Sequence, residues 1–292
     1  MDSKKVEHLL ELAWASTRKK EKLSLVRQAL DIAPDNTEAL IILADNTDDN
    51  DEREKILLHA RETLGEPDNY QPDMKEEFAF AVTYRLAYTY FAQENYAQTL
   101  LECDNADELL ASSDDPDAQD DIDEIKSLRY RTLIAVGEWQ KILALTMKDE
   151  TRNLSWAYSR LIAVWIMSGG TNKPLCASMF WEALMMSPDV PFYMLGYYEE
   201  PDDDEENEAF DFAVMYYDIL SVSDEFFHWF TRGTILFGLL TNRFDGRERE
   251  YVLDVIDSLG GYEEYERMSG IMLEADDRAV IETLAANKCL SK

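Results

Sequence analysis

At 292 residues and 46% hydrophobic, the chain exceeds the usual ~100–200-residue domain and carries enough apolar material for a large core. Sixty acids against 28 bases leave a formal charge of −32, which repels phosphates and excludes a general nucleic-acid or anionic-membrane binder. Twelve Phe, fifteen Tyr and six Trp separate this acidity from the kind that marks disorder.

All eight prolines (34, 67, 72, 116, 174, 188, 191 and 201) fall between apolar-periodic stretches, as a helix-rich chain requires. No convincing alternating run appears, and Asp245-Gly246 is not flanked by one to make a hairpin signal, so strands are not expected. The start, MDSKKVEHLL, lacks an apolar signal core, and the longest apolar runs fall far short of the ~20 residues of a membrane span. Cys103, Cys176 and Cys289 are odd in number and far apart, which points to free thiols in a reducing compartment. A cytoplasmic protein is expected.

The periodic stretches recur at roughly 30–40 residues, which raises the question of internal repeats. The tetratricopeptide unit is a helix pair with small residues where its helices approach and aromatics between units. Residues 84–106 fit it: Leu86, Ala87, Tyr90, Tyr96 and Ala106 take its positions 7, 8, 11, 17 and 27. Ala29-Leu30-Asp31-Ile32-Ala33-Pro34 reproduces the end of such a unit, as does Glu182-Ala183-Leu184 followed by Pro188. Gly137-Glu138-Trp139 resembles its tight turn. Units are placed near 4–36, 37–68, 80–114, 122–150 and 154–188. After Pro201, helices are expected over 210–220, from 226 onward, and at 247–259, 262–273 and 276–289, as a cap on the array. The expected fold is all-α: a right-handed, tetratricopeptide-like α-solenoid of degenerate repeats over 1–200 and a helical continuation or cap over 201–292, packed on the array as one continuous solenoid.

Three acidic stretches interrupt these helices. Residues 45–54 read DNTDDNDERE, residues 102–124 hold eleven acids and no base, and residues 199–211 hold nine acids and no base. Segment 199–208 is expected as a surface loop that tolerates deletion, because so many like charges cannot be buried. The first 36 residues instead balance seven bases against six acids.

The order of these pieces resembles the suppressor of tumorigenicity seven family. ALDIAPDNTEALIILA (29–44), YRLAYTYFAQENYAQTL (84–100), LRYRTLIAVGEWQKILAL (128–145) and FWEALMMSPDVPFYMLG (180–196) carry the resemblance, the last through a Val-Pro extended step into a short helix. ENEAFDFAVMYYDIL (206–220) follows at a similar distance. The resemblance spans roughly residues 20–240 and implies tetratricopeptide-like repeats and an interaction scaffold. It supplies no catalytic residues, and the family's membrane-spanning segments have no counterpart here.

The chemistry-bearing residues read as follows. A calcium loop starting at Asp45 would place Asn50 at the turn glycine and Ile56 at the bidentate glutamate, and a start at Asp48 gives Arg53 and His59. Neither register works. His8, His59 and His228 lack ligand spacing, and Gly169-Gly170…Lys173 lacks the rest of a phosphate loop. No catalytic, cofactor-binding or metal-ligating residue is assigned, and the cysteines read as core packing.

One surface reads as a binding site. In the 84–106 frame, Tyr84, Tyr88 and Phe91 share one stripe on the face that lines the groove of such arrays. The same frame adds Glu7, Glu11 and Trp14 from the first unit and Glu38, Ile41, Asp45 and Asp48 from the second. Contact with the chain's own later helices is the alternative use of the aromatic stripe. The leading function is a noncatalytic adaptor whose groove binds a basic, partly apolar protein segment, with no direct nucleic acid, membrane or cofactor. An acidic nucleic-acid mimic and an enzyme with an unrecognised site are the alternatives.

Overall fold

The computed structural model describes residues 2–66, 69–70, 74–111, 118–202, 207–271 and 276–291. Within these the chain is all-helical, with sixteen α-helices, a 3-10 segment at Tyr217–Ser221 and no strand. It divides into two compact units, residues 1–136 and 137–292.

Unit 1 holds α1 (Asp2–Ala15), α2 (Lys19–Ile32), α3 (Thr37–Asp45), α4 (Asn50–Thr63), α5 (Lys75–Ala92), α6 (Tyr96–Ala111) and α7 (Ala118–Ala135). Each helix packs on the next, and α3 also reaches α5, as α5 reaches α7. Local signals set the boundaries. Pro34 lies in the turn after α2, and the Asn36 side chain caps α3 by accepting from the Ala39 N–H at 2.9 Å. Asp49 caps α4 in the same way through the Glu52 N–H at 2.8 Å. The helices approach closely because fully or nearly fully buried alanines stand between them: Ala13, Ala29, Ala39, Ala44, Ala60, Ala87 and Ala106. Around these close the larger side chains, Leu57, Val82 and Leu86 between α4 and α5, and Ile125 and Leu128 of α7 against α6.

Unit 2 holds α8 (Trp139–Thr146), α9 (Leu154–Met167), α10 (Lys173–Met186), α11 (Val190–Met194), α12 (Glu208–Tyr216), the 3-10 segment, α13 (Asp224–Leu240), α14 (Gly246–Ser258), α15 (Tyr262–Ser269) and α16 (Asp277–Ala286). Gly137 before α8 has φ +71°, the left-handed conformation that its expected turn needs. The centre of the unit is α13, which packs on α14, α15, α16 and the 3-10 segment. Its Trp229 stands 5.0 Å from the Trp165 ring of α9 and 5.7 Å from the Phe180 ring of α10. A Cβ at Gly233 of α13 would meet Leu290 at 2.6 Å and Phe180 at 2.7 Å, so glycine is what allows this approach. Arg243 ties three segments together, donating to Asp189, to Tyr198 and, at 2.6 Å, to Asp277 at the start of α16.

The helices fall where the spacing places them. The ranges 4–36, 37–68, 80–114 and 154–188 correspond to the packed pairs α1–α2, α3–α4, α5–α6 and α9–α10. The range 122–150 holds α7 and α8, which belong to different units. The compact units divide at 136–137, and the aromatics of α13, beyond Pro201, share one core with α9 and α10. Val190-Pro191 is not an extended step: it forms the first turn of α11, where proline's missing N–H costs no intrahelical bond. Of the loop expected at 199–208, Glu199, Glu200, Asp202 and Glu208 are exposed, and residues 203–206, the centre of the expected deletable segment, lie outside the described residues.

Candidate functional site

The expected groove residues sit on α1, α3 and α5, and the structure treats them in three different ways. On α1, Glu7, Glu11 and Trp14 share one exposed stripe. Trp14 is 52% exposed and its indole N–H donates to the Glu38 carboxylate of α3 at 2.7 Å. Lys22 stands 6.0 Å from the same ring. The Trp14–Glu38 bond joins α1 to α3.

On α3 the expected face is mostly occupied. Ile41 is buried in the core between α3, α4 and α5. The Asp45 carboxylate accepts two bonds from the Arg85 guanidinium of α5, at 2.6 and 2.9 Å. Asp48 accepts from Lys19 at 2.6 Å, and this ammonium holds its carboxyl below the ordinary range. Arg53 donates to the carbonyl oxygens of Ala44 and Thr47, at the end of α3. The acidic stretch 45–54 is thus a cross-linked, capped turn, and Asp45 does not offer a partner an open carboxylate.

On α5 the aromatic stripe is half-buried. Tyr84, Tyr88 and Phe91 pack on the cluster of Ala87, Cys103, Ala106, Ile125 and Leu128. The Arg131 guanidinium of α7 lies 4.6 Å from the Phe91 ring centre. Tyr84 and Tyr88 lie 4.9 Å apart, and burial, then the Glu124 carboxylate, pushes both phenols above their ordinary range. These rings therefore serve the α5–α6–α7 packing, the alternative use read from the sequence.

What remains open is a cleft of about 280 Å³ at the α1 end of the unit. Its floor is apolar, formed by Val6 and Leu10 of α1, Ile32 at the end of α2, Tyr70, and Phe78 of α5. Its polar lining is Ser3, Glu7, Asn36 and Glu38. Ser3 donates to Glu7 at 3.2 Å and Trp14 donates to Glu38, but among the described residues neither carboxylate has a Lys, Arg or His within ion-pair distance. Two anionic groups thus face an apolar floor beside an exposed indole. That combination suits a cationic side chain with an apolar stem.

Sequence spacing identified Glu7, Glu38 and Trp14 but not Tyr70 or Phe78. Tyr70 follows a proline-marked break and carries no periodicity, and Phe78 lies at the start of α5, outside the 84–106 match. Among the described residues no group of three His, Cys, Asp or Glu side chains is placed to hold a metal ion, and no helix is long and apolar enough to cross a membrane. No family model, curated protein or solved structure matches the chain.

Proposed function

We infer that the protein is a noncatalytic interaction scaffold built of tetratricopeptide-like helix pairs, and that the α1–α3 cleft of unit 1 holds a basic, partly apolar segment of a partner protein. The repeat reading rests on packed helix pairs at the expected spacing, on buried alanines at the close approaches, and on the α3–α5 and α5–α7 neighbour contacts. The kinship to the suppressor of tumorigenicity seven family is part of the same proposal and rests on the repeat junctions alone.

The observation that carries the binding reading is the pair Glu7 and Glu38, two carboxylates that no cation among the described residues pairs, above an apolar floor. A guanidinium or ammonium entering the cleft gains two charge-assisted bonds, each worth about 0–1 kcal/mol because both carboxylates reach solvent, while its stem covers Val6, Leu10 and Phe78. The test is the affinity of the full chain for a nine-residue Arg/Leu peptide, with a Glu/Leu peptide as control. Glu7→Gln/Glu38→Gln should leave helicity and melting unchanged and weaken the basic peptide about tenfold or more. Unchanged affinity in that variant would refute the cleft as the site.

A further inference from the structure

Unit 2 presents a second surface that the scaffold reading does not use. The start of α12 is fixed by one side chain: the Asn207 carbonyl oxygen accepts from the Phe210 N–H at 3.0 Å, and its amide donates to the Tyr193 hydroxyl at 2.9 Å. The Tyr193 and Phe210 rings then meet edge-on at 5.6 Å. With α12 so placed, Phe212, Ala213 and Tyr216 turn inward, and Phe212 stacks on Tyr216 and faces Tyr158.

Beside that inward face, α12 and the first residue of the 3-10 segment carry further apolar side chains. Phe210 and Val214 of α12 and Tyr217 of the 3-10 segment stand at i, i+4 and i+7 and, with Tyr193 and the buried Ala213, line a hollow of about 270 Å³. Val214 is 62% exposed and Tyr217 59%. Glu208 and Asp211 of α12 and Asp218 of the 3-10 segment are exposed on the same stretch of chain. From 174 to 231 the sequence carries fourteen acids and no Lys or Arg. An exposed apolar seam beside exposed acids of the same segment is a marked surface, because scattered exposed apolar residues do not line up at helical spacing around a hollow.

We propose that this seam docks a cationic amphipathic helix of another protein, whose apolar stripe fills the Tyr193–Phe210–Val214–Tyr217 hollow while flanking Lys or Arg residues meet Glu208, Asp211 and Asp218. The spacing of the seam selects a helix, since helix-on-helix packing matches stripes of this period. Its charge selects the sign of the partner. A second copy of this chain fits less well, because it carries the same −32 and a cationic partner does not.

The probe is a 14-residue helix-forming peptide of Leu and Lys with leucines at i, i+3, i+4 and i+7, read by fluorescence anisotropy against the full chain. A peptide of the same composition, scrambled to break the stripe, is the control. The striped peptide should bind at least about tenfold more tightly than the scrambled one, and less tightly at 300 than at 50 mM salt. Val214→Ser/Tyr217→Ser should cost about tenfold with circular dichroism and melting unchanged, whereas Glu7→Gln/Glu38→Gln should change the affinity less than twofold. Equal binding of the two peptides would reduce the effect to bulk charge and overturn the proposal. So would an unchanged affinity in the Val214/Tyr217 variant, or sedimentation showing a dimer of the free chain that this variant dissociates. Loss of binding in the Glu7/Glu38 variant alone would move the site to the α1–α3 cleft, overturning this proposal and leaving that reading intact.

Discussion

Burial acts on the individual thiols and phenols in one direction. Desolvation pushes Cys103 up to about 12 and Cys176 and Cys289 up to about 11, from the thiol's ordinary 9.0. It pushes Tyr197 up to about 12 and raises Tyr158, whose buried hydroxyl has no hydrogen-bond partner among the described residues. In each case the neutral form is the one that packs. The folded state therefore holds these protons more tightly than the unfolded chain does. Stability owed to them is complete below the unfolded values near 9–10 and is lost as pH rises through 11–12. Unfolding free energies from urea titrations between pH 8 and 11 should hold steady to about pH 9 and then fall, by about 1.4 kcal/mol per pH unit for each group that ionises in the unfolded chain alone. A free energy that rises or stays flat to pH 11 would contradict the burial of these groups. All three thiols are buried, so the native protein should also resist a thiol reagent that modifies them in urea.

The helices themselves were readable in advance because their signals are local: apolar period, a capping Asn or Asp, and proline between stretches. The ties between helices were not, because their partners are distant in sequence. Asp45 reads as a groove acid until Arg85, 40 residues on, is seen to hold it. Glu102 is similar: it looks like one more acid in an eleven-acid run, yet its side chain is 3% exposed and takes two bonds from Arg61 of α4, at 3.0 and 2.6 Å. This pair joins α4 to α6. Replacing Arg61 with Met should strand a buried carboxylate and cost about 3–5 kcal/mol, whereas Arg61→Met/Glu102→Leu should recover most of that loss. Urea unfolding of the two variants separates the cases. A double variant as unstable as the single one would mean that the pair's packing, and not its stranded charge, sets the cost.

The chain as a whole must fold against its own acidity. Several carboxylates are used locally: Asp104 and Asp107 flank Arg129, and Asp189 and Asp277 flank Arg243. Asp49 and Asp276 cap α4 and α16 with a charged side chain, as Asn36 caps α3 with a neutral one. Acids at helix starts also complement the helix dipole. These uses cannot absorb the whole excess, because 28 bases are too few for 60 acids. The surplus carboxylates repel one another in the compact state, and this repulsion is longer in range than the ion pairs. The carboxylates of those pairs are mostly half-exposed or exposed, and each pair is worth about 0–1 kcal/mol. Salt weakens both effects, but with a net −32 the repulsion is the larger. Raising sodium chloride from 10 to 300 mM shortens the screening length from about 30 Å to below about 8 Å and should therefore stabilise the fold. The melting temperature should rise, by about 2–4 °C for each kcal/mol recovered. Differential scanning calorimetry across that range reads the effect directly. A melting temperature that falls with salt would mean that the ion pairs, Arg61–Glu102 and the Arg129 and Arg243 clusters among them, outweigh the repulsion, and that the acidic surface is held together by its few cations.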